Sequence, residues 1–351
     1  MAENYLTHEP ASTIDSTIEA LEADKVIVVT DENVEKIVIP SLEGSSIVKT
    51  SPRIAIIPGE EGKTLETVTK IWDKLEETGA TRSSVVLNIG GGVVTDIGGF
   101  AASTYKRGVR TVNFPTTLLG AVDAATGGKT GINYRGLKNE IGAFHMPTKV
   151  ILSAIPFRSL SREELLSGYA EMIKTALFSD KDFYLQLYNL EDVVEDTQIL
   201  GSAVEKCVGI KDEIVAQDPH EKGLRKVLNL GHTAGHAFES LGIQKGFPVT
   251  HGKAVAHGLL VALILSHIKL GFDTYELEQY RRFLREYYGG ALMQCEDMEK
   301  VLTKMNSDKK NRKYGEPAFT LLKGIGDPVI DCHPSQTELT EALELYIDMA
   351  S

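Results

Sequence analysis

Short runs of β-branched and other apolar residues recur through the first 160 positions: Lys25–Thr30 (KVIVVT), Arg53–Ile57 (RIAII), Ser84–Ile89 (SVVLNI), Arg110–Phe114 (RTVNF) and Lys149–Leu152 (KVIL). Their near-continuous apolar character predicts strands buried on both faces. Between them, Thr64–Glu77 places Leu65, Val68, Ile71, Trp72 and Leu75 at helical spacing. Strand–helix–strand alternation of this kind predicts an α/β domain with a mostly parallel sheet and helices on its faces.

The texture changes near residue 160. Ser161-Arg162-Glu163-Glu164 has the pattern of a helix-capping box. Helical periodicity then runs through Glu163–Phe178, Gly201–Ala216, Lys222–Ser240, Lys253–Leu270, Glu276–Tyr287 and Glu338–Met349, interrupted by one β-like run, Ala318–Leu322. The expected organisation is an α/β domain over 1–160 and an all-α domain over 161–351.

Composition narrows the function classes. The 351 residues include 37 Lys+Arg and 49 Asp+Glu, a net charge of −12, and 42% are hydrophobic. That fits a folded globular protein and opposes general nucleic-acid binding, which needs a basic face to displace counterions. Met1–Tyr5 has no basic segment leading into an apolar run, so no secretory signal is expected. The most apolar stretch, Ala254–Phe272, contains His257, His267 and Lys269 and reads as a buried helix, too short and too polar for a membrane span. The cysteines Cys207, Cys295 and Cys332 are odd in number and far apart, which fits a reducing cytoplasm and no cysteine metal site.

Two constellations carry chemistry. The strand Ser84–Ile89 enters Gly90-Gly91-Gly92-Val93-Val94-Thr95-Asp96, where amides at a helix start can approach a pyrophosphate, as in a Rossmann-like dinucleotide site. The match to GxGxxG is imperfect, with Thr95 at the third small position and Arg110 where a ribose-binding acid would stand. A plain βα turn is the alternative; Asp31 and Glu60, at the ends of their strands, are the substitute acids. Residues 90–142 hold 12 of the 32 glycines and six basic against three acidic side chains, so this window is +3 and the remainder −15. A Gly-rich cationic segment in an acidic chain points to a small phosphate- or carboxylate-bearing ligand, against a merely solvated basic loop. Gly127-Gly128-Lys129-Thr130 lacks P-loop spacing, which excludes that NTPase class.

Five of the nine histidines lie between 232 and 267. His232 and His236 are four apart on one helix face, His251 follows, and Glu171 lies on an otherwise apolar helix. One carboxylate with two imidazoles makes a catalytic zinc set with a position left open. Four candidates exist for three positions, and spacing leaves the choice open; core or capping histidines are the alternative. His257 and His267 read as structural.

Together these pieces resemble the 3-dehydroquinate synthase family of sugar-phosphate cyclases. The likeness runs from about Thr30 to the DKK segment near 308 and rests on Gly90–Arg107, Pro115–Asn133, Lys138-Asn139, Glu171-xx-Lys174, Arg225–His236 and His251-Gly252-Lys253. It implies NAD held by Asp31, Asn33, Glu60, Lys63, Gly91, Gly92, Asp96, Thr116 and Thr117. It implies Zn2+ or Co2+ on Glu171, His232 and His251, with His236 on the substrate side. Catalytic roles fall to His236, Lys174, Asp123 and Asn229, and substrate contacts to Arg107, Lys129, Lys138, Asn139, Lys211, Arg225 and, from the DKK segment, Lys310 rather than Lys309. Ser153, Ser161 and Glu140 depart from the family pattern, and none of them is assigned to chemistry.

The resemblance implies a homodimer acting on a small sugar phosphate, 3-deoxy-D-arabino-heptulosonate 7-phosphate. Its carbon-5 hydroxyl is oxidised, phosphate is eliminated, the ketone is reduced and the ring closes by an aldol step, so NAD is recycled. The rival readings are 2-epi-5-epi-valiolone or 2-deoxy-scyllo-inosose synthase, a glycerol-type dehydrogenase, and a non-catalytic NAD-sensing metalloprotein. Asn139, Asn229, His236 and the DKK lysines favour the dehydroquinate enzyme.

Overall fold

The computed structural model describes residues 3–135, 137–306 and 316–351. The chain divides into two compact units, Met1–Ser161 with Val194–Asp212, and Arg162–Val193 with Glu213–Ser351. The segment Val194–Asp212, beyond the expected cut near 160, groups with the first unit, so the division is not a single point along the sequence.

In the first unit the strands are β1 (Glu3–Leu6), β2 (Val26–Asp31), β3 (Arg53–Ile56), β4 (Val85–Gly90), β5 (Arg110–Pro115), β6 (Lys129–Tyr134), β7 (Leu137–Phe144) and β8 (Lys149–Leu152). Among the described residues, six form one sheet in the order β1-β8-β5-β4-β2-β3, and every pairing is parallel. Successive side chains of a strand point to opposite faces. Val26, Val28, Val85, Leu87 and Ile89 therefore enter one core, while Ile27, Val29 and Val86 enter the other. Both faces are covered, which is why the strands read as unbroken apolar runs. Leu65–Glu77 and Gly92–Thr104 line the second core with Val68, Ile71, Leu75, Val94 and Ile97. Burying each such side chain stabilises by roughly 1.5–3 kcal/mol. Two buried amides tie the sheet to the next turn: Asn88 Nδ2 donates to Asn113 Oδ1 at 2.8 Å, and Asn113 Nδ2 to the Ala125 carbonyl at 2.9 Å.

β6 and β7 form a separate antiparallel ribbon that sequence periodicity did not reveal. Gly131 and Gly142 face each other across it, so it lacks alternating bulk there.

Among the described residues the second unit is helical, with one two-stranded ribbon of β9 (Phe319–Gly324) and β10 (Asp327–Cys332) where a single β-like run was expected. The stretch expected as one helix over Lys222–Ser240 is broken: a 3-10 segment, Leu224–Asn229, is followed by Gly231 at φ +77° and then by the helix His232–Gln244. Gly231 takes the left-handed conformation that glycine tolerates without a Cβ penalty, and His232 thereby becomes the first residue of its helix.

His251–Leu270 is long and apolar enough, by length and composition, to cross a membrane, contrary to the sequence expectation. Fourteen of its 20 residues, including His257, are buried in the second unit, and a core position accounts for its apolar character.

Candidate functional site

Three backbone segments converge in the second unit. A Cβ added to Gly252 would lie 2.0 Å from the Ser167 carbonyl oxygen, and one added to Gly258 would lie 2.0 Å from that of Gly231. Only glycine lets the helices Arg162–Ser179 and His251–Leu270, and the turn entering His232–Gln244, approach so closely. Each then brings one ligand-bearing side chain to the same point. Glu171 Oε1 lies 3.6 Å from His232 Nε2 and 3.4 Å from His251 Nε2, and one donor atom from each of the three residues falls within 4.8 Å of the others.

These residues fit a divalent cation. Two metal–ligand bonds of about 2.0–2.1 Å at a tetrahedral angle span roughly 3.3 Å, close to the separations of Glu171 from the two imidazoles. Glu171 is 2% exposed, and its Oε1 has no hydrogen-bond donor. An unsatisfied buried carboxylate oxygen costs several kcal/mol unless something positive reaches it. Its other oxygen is ion-paired with Lys174, one turn along the same helix and also buried. Burial raises the Glu171 pKa, but Lys174 and His251 outweigh burial and hold the carboxyl well below the ordinary range. The site therefore keeps the deprotonated oxygen a metal requires.

The imidazoles are oriented from behind. His232 Nδ1 lies 3.2 Å from the Leu230 carbonyl, which the Gly231 turn presents to it. His251 Nδ1 lies 3.3 Å from Glu239 Oε2. Burial disfavours charge on His251, yet the carboxylates of Glu171 and Glu239 on either side of the ring push its pKa up to about 10. The His236 ring stands 5.5 Å from that of His232 and 6.5 Å from that of His251, beside the triad. Glu239 was absent from the sequence reading. Its signal was available, since it lies seven residues after His232 and three after His236 on one helix face.

The loop ahead of the histidine helix holds two further expected residues, Arg225 and Asn229. Asp218 accepts backbone N–H groups from Lys222, Gly223 and Arg225 at 2.9, 2.7 and 3.0 Å, shaping the loop ahead of the histidine helix. Arg225 is buried and donates through Nη1 to the Pro219 carbonyl at 2.8 Å. Asn229 Nδ2 donates to Glu221 Oε1 at 2.7 Å. Lys310 and its neighbour Lys309 lie outside the described residues.

In the first unit the parallel order β5-β4-β2-β3 aligns the carboxyl ends of four strands along one edge. The expected dinucleotide residues sit at or just beyond those ends: Asp31 on β2, Glu60 and Lys63 after β3, Gly91 and Gly92 after β4, Thr116 and Thr117 after β5. Gly91 caps the helix Gly92–Thr104 in extended backbone with no side chain between its amides and a ligand. A crevice at strand carboxyl ends is where open parallel sheets bind nucleotides. The details refine the expected roles. Asp31 Oδ1 accepts the amides of Asn33 and Val34 at 2.9 Å each, capping a short helix, and Asn33 is exposed. Asn133 Nδ2 donates to Glu60 Oε2 at 2.8 Å.

Buried Lys63 pairs with Asp96 at 2.6 Å and also bonds Asn139 Oδ1, so Asn139, expected at the substrate, here joins two residues expected at the cofactor. Burial pushes the Asp96 carboxyl up to about 6 against the pull of Lys63. Lys211 donates to both the carboxylate and the carbonyl of Asp123. Arg107, Lys129 and Lys138 are exposed in this unit. Lys106 and Arg107 both have positive φ, 50° and 67°, a conformation that costs non-glycine residues about 1 kcal/mol or more each. Bonds from Lys106 Nζ to Ala80 O (2.6 Å) and from Arg82 Nε to Lys106 O (3.0 Å) hold that turn.

The fold is that of the sugar-phosphate cyclases. It is similar to 2-epi-5-epi-valiolone synthase from Streptomyces hygroscopicus subsp. jinggangensis, a structure with NAD+ and Zn2+ bound, at TM-score 0.86 and 25% identity over 99% of this chain and 97% of that one. It is similar also to a 2-deoxy-scyllo-inosose synthase complexed with carbaglucose-6-phosphate, NAD+ and Co2+, at TM-score 0.83 and 24% identity over 97% and 95%. In sequence, residues 53–167 match the 3-dehydroquinate synthase N-terminal profile and residues 168–311 the 3-dehydroquinate synthase C-terminal profile. The 3-dehydroquinate synthase of Parabacteroides distasonis is 41% identical over 335 residues, 95% of each chain, and that of Thermococcus kodakarensis 39% over 344 residues, 98% of this chain and 95% of its own. The chain belongs to the 3-dehydroquinate synthase family, a family of enzymes.

Proposed function

We propose that the protein is a 3-dehydroquinate synthase, converting 3-deoxy-D-arabino-heptulosonate 7-phosphate to 3-dehydroquinate and phosphate in the route to aromatic amino acids. One observation carries the reading: Glu171, His232 and His251 meet at one point, with His236 beside them, in a chain 41% identical to a 3-dehydroquinate synthase over 95% of its length. A divalent cation such as Zn2+ or Co2+ on those three residues supplies Lewis acidity toward a substrate hydroxyl. The residues at the carboxyl ends of β2 to β5 would hold NAD, which would supply a hydride acceptor.

The chain's own residues do the rest. Glu171 stays ionised because Lys174 compensates its charge, so its carboxylate remains available as a donor. His236 relays the proton of the substrate hydroxyl. Lys174 assists that relay, Asn229 fixes a hydroxyl through the amide that Glu221 orients, and Asp123 is steadied by Lys211. Oxidation acidifies the neighbouring C–H bond, phosphate departs, reduction restores the hydroxyl, and ring closure follows. The phosphate and carboxylate of such a substrate call for several cations, which accounts for Arg107, Lys129, Lys138, Arg225 and Lys310.

Two finer statements belong to the same proposal. The protein works in a reducing cytoplasm, supported by three cysteines with no disulfide. It is a homodimer, supported by β7, which exposes Leu137 (57%), Ile141 (39%) and Phe144 (64%); a monomeric mass by light scattering at micromolar concentration would remove that statement.

The test is incubation with the heptulosonate phosphate, catalytic NAD and Zn2+, reading phosphate and absorbance at the NADH maximum. Stoichiometric phosphate without NADH accumulation, lost on adding a chelator, is expected. NADH rising with turnover would favour a dehydrogenase. Turnover of glucose 6-phosphate or sedoheptulose 7-phosphate in place of the heptulosonate would favour a sister cyclase.

A further inference from the structure

The two histidines of the triad are oriented differently. His232 leans on a backbone carbonyl, which no side-chain substitution removes. His251 sits between two carboxylates: its Nε2 faces Glu171 Oε1 at 3.4 Å, and its Nδ1 faces Glu239 Oε2 at 3.3 Å. These contacts engage opposite nitrogens of one ring. Glu239 comes from the helix His232–Gln244, two turns beyond His232, while His251 starts the next helix, so the contact ties two ligand-bearing helices together at the site. The Glu239 side chain is only 13% exposed, which shields this hydrogen bond from competing water.

A metal-binding imidazole must present a lone pair on one nitrogen, and the hydrogen bond made by the other nitrogen selects that tautomer and fixes the ring plane. We infer that Glu239 is the positioning residue of the metal centre: by accepting the Nδ1–H of His251 it directs Nε2 toward Glu171 and raises the affinity of the triad for its cation. Glu239 touches neither cation nor substrate in this account and acts only through His251. The inference rests on the metal-site reading above.

The experiment uses the full-length protein and the metal ions alone. Zn2+ affinity is measured by competition with a chromophoric chelator for wild type, Glu239→Gln and Glu239→Ala, and the visible absorption of the Co2+ forms is recorded. Glu239→Ala is expected to weaken Zn2+ binding by about 10–100-fold, the usual effect of losing such a partner. It should also shift the Co2+ bands, while the melting temperature of the metal-free protein stays near wild type. Glu239→Gln keeps shape and an acceptor oxygen, so it should fold and recover part of the affinity while still falling short of wild type. Affinity within twofold of wild type and unchanged Co2+ bands in the Gln variant, or in both, would overturn the inference while leaving the metal site intact. Absence of tight Zn2+ binding by wild type would instead overturn the metal-site reading on which the inference stands.

Discussion

The convergence of the ligand-bearing segments rests on glycine, and Gly258→Ala tests it. The added methyl would fall 2.0 Å from the Gly231 carbonyl oxygen and 2.7 Å from the Gly235 nitrogen. Both obstacles are backbone, so no rotamer change relieves them. Ordinary contact begins at 3.4 Å, so the two segments must part by about 3.4 − 2.0 = 1.4 Å. Such overpacking costs typically about 1–3 kcal/mol. Metal sites tolerate only about 0.2 Å of error in ligand distance, so the separation should spoil the triad even where the fold survives. Urea unfolding of the metal-free variant should show a loss of about 1–3 kcal/mol, and chelator competition a fall in Zn2+ affinity of at least roughly tenfold. Gly209→Ala is the control. Gly209 is an exposed residue in the helix Thr197–Gln217, and nothing lies within 4 Å of its added Cβ. Replacing a mid-helix glycine there should stabilise by up to about 1 kcal/mol and leave Zn2+ binding unchanged. Wild-type stability and wild-type Zn2+ affinity in Gly258→Ala would refute the argument that close backbone approach builds the site.

Further outcomes follow from the electrostatics. Because burial lifts Asp96 to about 6, a carboxyl 13C titration should show its midpoint there, and Lys63→Met should move it higher; a wild-type midpoint at or below 4 would contradict the burial argument. Since this folded-state pKa exceeds the ordinary 3.8, the stabilisation from Asp96 is full below pH about 4 and lost as pH rises through about 6, a swing of about 3 kcal/mol that the titration shift measures directly. His251→Ala and Glu171→Gln should each abolish chelator-sensitive phosphate release while NAD still binds in calorimetry. Full activity in a metal-depleted His251→Ala would refute the ligand set. Glu171→Gln should in addition cost about 3–5 kcal/mol of stability in chemical unfolding of the metal-free protein, since Lys174 stays buried without its counter-charge.

The strands of the main sheet were legible because both of their faces are buried, so Val26–Asp31 and Val85–Gly90 carry little besides apolar side chains. The ribbon β6–β7 was not legible, since its second strand is exposed along nearly its whole length and carries no buried stripe. The break before His232 escaped for the opposite reason. Leu224, Val227, Leu230, Ala234, Phe238 and Leu241 continue at helical intervals across it, and only Gly231 marks the change. The histidine and glutamate candidates stood out by residue type, yet their meeting depends on close approach between segments some 60 to 80 residues apart, which spacing cannot encode. Glu239 does not stand out in the sequence because an acidic residue on a helix face is ordinarily solvated, and its contact with His251 comes from a different helix.

Anomalous diffraction at the zinc absorption edge, from crystals grown with Zn2+, would locate the cation among the four candidate ligands. One strong peak is expected, bonded to Glu171 Oε1, His232 Nε2 and His251 Nε2, with the His236 ring outside bonding distance. A peak ligated by His236 in place of His251, or no peak at this triad while zinc binds elsewhere, would contradict the ligand set.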